Sequence, residues 1–318
     1  MGLFYEKIQG IRMKDMIQEI RASVLRLTRE LDNFQDIALY IKPPPGEIPE
    51  LNGIDVYGES LPLNGIVGGD HIIYVDFKKR YDLEARIRQA REEGRREVVE
   101  DLIRCQGKAG IAVVDVSGHQ VTDALLAAML HQAFLLGTIY ELDHYGQITE
   151  RLFENLNTRF YNSSSVSKFL TMIYGEISED GTFKFVSAAH PLPIVFSSEY
   201  DRIVDISREL CTVFPPIGTL PSQEDIDRRA VQSVLGYKER YEVNEWRLMG
   251  SGDILLLYTD GFSEHTRGDE SYFPTHLETK LREVKRRSAK EIFEAIRADL
   301  MAFNKPSDDI SYVVIKKK

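Results

Sequence analysis

The chain has 318 residues, 43% hydrophobic and 28% charged, a composition that suits one or two globular domains and excludes a disordered or fibrous protein. Its net charge of -10 argues against nucleic acid as a partner, since phosphate backbones favour a basic face, and suits a cation site made of carboxylates. Two cysteines, Cys105 and Cys211, exclude a disulfide framework or a cysteine-rich zinc site.

No run of ~18 apolar residues occurs, the start Met-Gly-Leu-Phe-Tyr-Glu lacks a signal-peptide pattern, and Glu6 breaks the myristoylation pattern. The expectation is a soluble, cytoplasmic protein with no membrane partner.

The first element reads as a helix. Met13, Ile17, Ile20, Val24, Leu27, Leu31 and Phe34 follow alternating steps of four and three, the a/d repeat of a coiled-coil seam. So narrow a seam predicts a homodimer through this helix. The alternative, a surface helix packed on its own domain, usually shows a wider apolar face. Pro43-Pro44-Pro45-Gly46 stops the helix and opens a loop. Residues 1–45 are therefore read as an N-terminal dimerisation segment and 46–318 as the main domain.

Strands are predicted at Ile54–Gly58 and His71–Phe77. The charged stretch Lys78 to Arg104 carries Leu83, Ile87, Ala90, Val98 and Leu102 at helical spacing, interrupted at Gly94, with Glu84–Arg88 and Glu92–Arg96 as i,i+4 pairs. It reads as an amphipathic helix with a solvated face, or else as a docking element, and residues 78–108 are taken as an insertion. Ile111–Val116 is nearly all apolar and should be a central strand. Thr122 can cap a helix from Asp123 to about Leu136, with Asp123 on the helix dipole. Apolar almost all round, that helix is expected to be buried.

A second helix spans Thr149–Tyr161. Phe169–Ile177 and Thr182–Ala188 form a hairpin across Glu179-Asp180-Gly181, and Pro191–Phe196 is a further strand. Residues 197–247, with Pro215-Pro216 and a polar helical run near 223–238, read as an insertion near the active site, its core at 215–247. Ile254–Thr259 is a buried strand, Lys290–Phe303 an amphipathic helix, and Ile310–Ile315 the last strand. The element order indicates an α+β, layered sandwich instead of a strict βαβ repeat.

Four aspartates stand where a strand meets a loop: Asp70 in Gly68-Gly69-Asp70, Asp115 in Asp115-Val116-Ser117-Gly118-His119, Asp260 in Tyr258-Thr259-Asp260-Gly261, and Asp308 in Ser307-Asp308-Asp309. Hard divalent cations are held by such oxygen donors, and carboxylates gathered from distant parts of a chain suit a two-metal site for phosphate esters. A single aspartate of this kind is as readily a turn residue that caps backbone N–H groups. Joint occurrence favours the metal reading. Asp253, after Gly252 in a turn, is read as structural.

With Leu51-Asn52-Gly53 and Ala189-His190-Pro191, these motifs in this order resemble the PPM (protein phosphatase 2C-like) family, in its bacterial SpoIIE/RsbU/RsbX branch, over residues 40 to 318. The resemblance implies an αββα sandwich, two antiparallel sheets packed face to face and flanked by helices, with two cations, Mn²⁺ or Mg²⁺, at one end. It implies Asp115 as the bridging carboxylate, the Val116 carbonyl as a further ligand, Asp70 and Asp260 completing the two shells, and Asp308 joining Asp260, with Asp309 the alternative. Asp115 and Asp260 are thereby the catalytic pair. Gln120 departs from the family, which has glycine there.

The implied activity is metal-dependent hydrolysis of phosphoserine or phosphothreonine on a STAS-domain protein, an anti-anti-sigma factor or a stressosome subunit. Alternatives are a silent pseudophosphatase scaffold or a small-molecule phosphoesterase. His119 suits a general acid but is as easily structural. His190 reads as structural. Gly69 and Gly261 allow close backbone approach or positive φ.

Overall fold

The computed structural model describes residues 2–39, 48–63, 68–118, 121–163, 168–207, 209, 211–223, 233 and 235–318. The chain divides into two compact units, 1–41 and 42–318. The first is one long helix, α1 (Gly2–Leu39), whose predicted seam residues Met13, Ile20, Val24, Leu27 and Leu31 are exposed, Leu27 by 65%. The Pro43–Gly46 loop lies outside the described residues.

The second unit holds two five-stranded antiparallel sheets. One runs β1 (Ile54–Leu61), β12 (Ile310–Lys317), β9 (Ile254–Tyr258), β6 (Ile194–Ser197), β7 (Arg202–Ile203). The other runs β2 (His71–Asp76), β3 (Lys108–Val116), β4 (Leu170–Ser178), β5 (Phe183–Ala188), β8 (Asn244–Trp246). Two interior strands, Ile254–Tyr258 and most of Lys108–Val116, are buried on both faces, which is why they read as apolar runs instead of alternating ones.

Three hydrophobic layers follow. Ile72, Ile111, Val113, Leu255 and Val313 fill the space between the sheets. Ile73, Ala112, Val114 and Met172 face a helical layer of the short α2 (Phe77–Arg80), α3 (Leu83–Glu92), α4 (Arg96–Cys105), α5 (Val121–Tyr145) and α6 (Glu150–Ser163). Leu256, Tyr312 and Val314 face α8 (Thr275–Val284) and α9 (Ala289–Phe303), the latter begun by a capping box between Ser288 and Glu291. This is the expected αββα sandwich.

Several expectations need correction. The 78–108 segment is amphipathic as expected, with Leu83, Ile87, Ala90, Val98 and Leu102 buried in the helical layer, but it is not one helix. Gly94, at φ +72°, breaks it into two helices and parts Glu92 from Arg96, while Glu84 accepts from Gln106 Nε2 at 2.7 Å. Helix α5 is longer than predicted and not buried all round. Leu130, Phe134 and Leu142 face the core, whereas Leu125, Met129 and Leu136 are exposed, Leu136 by 70%, because a helix in an outer layer can bury only one side. Residues 123–145 are also long and apolar enough to cross a membrane, at mean hydropathy 1.4, but their inner face is spent on this core.

Part of the 223–238 run lies outside the described residues. Around it, Lys238 is buried against Glu154 of α6 (3.1 Å) and over the Tyr241 ring, so the 215–247 segment is anchored on the helical layer. Strand β8, the small hairpin β10–β11 (Thr266–Arg267, Glu270–Ser271) and helix α8 were not predicted.

Candidate active site

Each carboxylate is delivered by a strand end. Asp70 directly precedes β2, Asp115 is the penultimate residue of β3, Asp260 follows β9 and opens the short helix α7 (Asp260–Ser263), and Asp308 precedes β12. Because β2 and β3 are antiparallel, with His71 opposite Val114, the start of one lies beside the end of the other. The same holds for β9 and β12, with Tyr258 opposite Tyr312. Face-to-face packing then brings both pairs to one end of the sandwich.

Asp70 is 7% exposed. Thr259 Oγ1 donates to its Oδ2 at 2.7 Å and accepts from Ser311 N at 3.0 Å, so one buried hydroxyl joins the two sheets at the site. Burial, followed by repulsion from Asp115, holds the Asp70 carboxyl well above the usual carboxylate range. Asp115 is pushed up to about 7 by burial and then by Asp260, Asp308 and Asp309. Asp260 is raised by burial, Glu264 and Asp308.

Among the described residues, the groups acting on these three are carboxylates and hydrogen-bond donors, with no cationic side chain among them. Uncompensated charge of this kind is costly unless something from outside neutralises it. Among the described residues no three His, Cys, Asp or Glu side chains converge into a ready coordination cluster. The chemistry of the donor set nevertheless fits hard divalent cations, which take carboxylate and carbonyl oxygens and complete their shells with water.

The glycines shape the recess. A Cβ on Gly69 would lie 2.8 Å from the Val116 carbonyl oxygen and closer still to that of Gly118. One on Gly261 would meet the Asp309 carbonyl. Neither glycine is at positive φ, so close approach is what they supply. Gly118 is the left-handed one, at φ +115°.

The adjacent pair Asp308–Asp309 divides its work. Asp309 is buried and accepts Leu63 N at 2.6 Å and Gly69 N at 2.8 Å, pinning the backbone beside Asp70. Asp308, half-buried, acts on both Asp115 and Asp260. His119 and Gln120 lie outside the described residues. His190 is buried, bonded through Nδ1 to Thr171 Oγ1 at 2.9 Å, and pushed down to about 3 by burial, so it is held neutral. Asp253 accepts Ser198 N and Gly250 N, as a turn residue does.

Sequence reasoning missed three supports. Thr259 is marked in the sequence only by its place in Tyr258-Thr259-Asp260-Gly261. Asp123, expected on the helix dipole, is 1% exposed and pairs with Lys168 Nζ at 2.7 Å; that ammonium also donates to Ser117 O at 2.9 Å, clamping the turn after Asp115. His71, next to Asp70, meets His131 of α5 through ring nitrogens 2.6 Å apart. Adjacency to an aspartate was a signal for Thr259 and His71. Lys168 carries no local signal.

Residues 106–318 match the family described as Stage II sporulation protein E (SpoIIE). The chain belongs to the SpoIIE family. The SpoIIE match takes in Asp115, Asp260 and Asp308, while Asp70 precedes it. Phosphoserine phosphatase RsbP of Bacillus subtilis (strain 168) is 26% identical over 212 residues, 66% of this chain and 46% of RsbP, so the chain spans about half the length of that curated relative.

Among solved structures, the SiaA-PP2C domain of Pseudomonas aeruginosa aligns at TM-score 0.60 and 16% identity, over 93% of this chain and 98% of that one. The PP2C phosphatase domain of SpoIIE from Bacillus subtilis, with a fragment of its regulatory domain, aligns at TM-score 0.56 and 14% identity, over 84% and 64%. The RsbU and RsbW domains of a Mycobacterium tuberculosis protein align at 0.55 and 18%, over 85% and 61%. At these identities the likeness is one of fold, and the fold is that of a PP2C-type phosphatase.

Proposed function

We propose that this SpoIIE-family protein is a metal-dependent phosphoserine/phosphothreonine protein phosphatase. The observation that carries the reading is that four strand ends deliver Asp70, Asp115, Asp260 and Asp308 to the junction of the two sheets, where, among the described residues, Asp70, Asp115 and Asp260 are acted on by carboxylates and not by cations. Asp70, Asp115, the Val116 carbonyl, Asp260 and Asp308 are the residues that would hold two divalent cations, Mn²⁺ or Mg²⁺. Such cations supply charge neutralisation and a lowered water pKa, which phosphate monoester hydrolysis needs.

The chain's own part is positioning. Thr259 orients Asp70, Asp309 holds the backbone at Leu63 and Gly69, and Lys168 secures the Ser117 carbonyl beside Asp115. Together they keep like charges in place where repulsion would scatter them.

The substrate in this reading is a phosphorylated STAS-domain protein, an anti-anti-sigma factor or stressosome subunit, in the cytoplasm. RsbP's description as a phosphoserine phosphatase supports the phosphoserine half of it. The exposed a/d seam of α1 supports a homodimer through that helix. The test is phosphate release from a phosphoserine STAS protein in Mn²⁺, Mg²⁺ or EDTA, wild type against Asp260→Asn. Metal-dependent release that the variant loses is expected. Binding without release in any metal would replace the enzyme by a scaffold.

A further inference from the structure

The carboxylate end does not close over a small ester. A groove of about 970 Å³ is lined by Asp260, alone among the four aspartates, and by a largely apolar set of side chains. Leu192, Ile206, Val213, Trp246 and Phe273 are its apolar lining; Trp246 is buried and Val213 is 45% exposed. The volume is at the upper limit for small-molecule pockets and far exceeds what a phosphoryl group beside Asp260 would fill. The remaining space therefore faces whatever is attached to the phosphate.

The charge of the groove has one sign. Its charged lining residues are Asp205, Asp260, Glu264 and Glu278, and no lysine or arginine lines it among the described residues. Glu278 is already paired with Arg282 and accepts from Ile203 N at 2.9 Å. That second bond occupies the outer N–H of edge strand β7 at Ile203, so a bound chain must be read there by its side chains and not by strand pairing. Asp205 and Glu264, both exposed, have no ion-pair partner among the described residues.

We infer that this groove receives the polypeptide flanking the phosphorylated residue of a protein substrate, and that it selects apolar and basic side chains there over acidic ones. The inference rests on the phosphatase reading and sharpens it to a substrate class. Apolar side chains gain by covering the apolar lining, and acidic ones are repelled by Asp205 and Glu264.

The test compares phosphate release in Mn²⁺ from two phosphoserine peptides, one flanked by leucine and lysine and one by glutamate, with p-nitrophenyl phosphate as a substrate without flanks. The expected kcat/KM ratio between the peptides is about tenfold or more, the worth of one well-buried apolar side chain. Ile206→Lys with Val213→Lys should bring that ratio to about one or below, since apolar cover is exchanged for positive charge. Asp205→Lys, at an exposed position that cannot disturb the core, should lower the ratio alone. Equal rates on both peptides, or a ratio unmoved in all variants, would overturn the groove while the phosphatase reading stands. No release from either peptide or from p-nitrophenyl phosphate would bring down the phosphatase reading and the groove with it.

Discussion

Strand β3 carries a charged residue near each end, and the two ends treat charge in opposite ways. At Lys108, Nζ meets Glu176 Oε2 at 2.7 Å, and Tyr174 Oη donates to the other oxygen at 3.0 Å. Seven residues on, roughly 23 Å along an extended strand, the charges acting on Asp115 belong to other aspartates. Both ends are largely withdrawn from water, so burial alone does not distinguish them. Compensation does. At the first end the chain satisfies its own charge, and at the second, among the described residues, the charges acting on Asp115 all share its sign.

The largest effect should come from removing charge at the second end. Asp115→Asn is expected to lower metal-dependent phosphate release by about a hundredfold or more, yet to raise the melting temperature in EDTA, because a source of repulsion is gone. A melting temperature that falls instead would break the comparison. Lys108→Ala should do the reverse. Leaving Glu176 buried without its partner costs about 3 kcal/mol in urea unfolding, with turnover per folded molecule unchanged.

Two buried imidazoles add a pH dependence. His131 is pushed down to about 4 by burial and by the Arg80 charge, and His190 to about 3 by burial. An unfolded imidazole titrates near 6.5, so below that pH the unfolded state binds protons that the native state refuses, and stability falls as pH drops towards 4. At pH 5 the loss is about 2 kcal/mol for each imidazole. Because the raised Asp70, Asp115 and Asp260 gain stability over the same interval, the check is the shift in urea midpoint between pH 7 and pH 5 in wild type against His131→Gln with His190→Gln, and an equal shift in both would show that these rings are not held neutral.

The smallest effect sharpens the comparison most. Thr259→Val keeps every carboxylate but removes the hydroxyl that steadies Asp70, and should weaken Mn²⁺ activation about tenfold. If activation were unchanged, the carboxylates would be held by their strands alone.

Much of this was legible beforehand because local pattern records which faces are buried. The apolar run before Asp115, the stripe Leu83, Ile87, Ala90, Val98 and Leu102, and the run before Asp260 all became core. Reading failed where an element is held by remote partners. Strand β8 has three residues and pairs only with β5, and the outward side of α5 is as apolar as its inward side, so no period marked either.

By itself the sequence determined the sandwich, its family and the four aspartates, since each rests on a stretch of a few neighbouring residues. Only the tertiary structure decided how Asp308 and Asp309 divide their work, that Thr259 reaches Asp70 across 189 positions, and that Lys168 clamps the turn after Asp115. Those facts depend on which chain segments meet, and nothing in the order of residues along one strand says which segment will stand opposite its end.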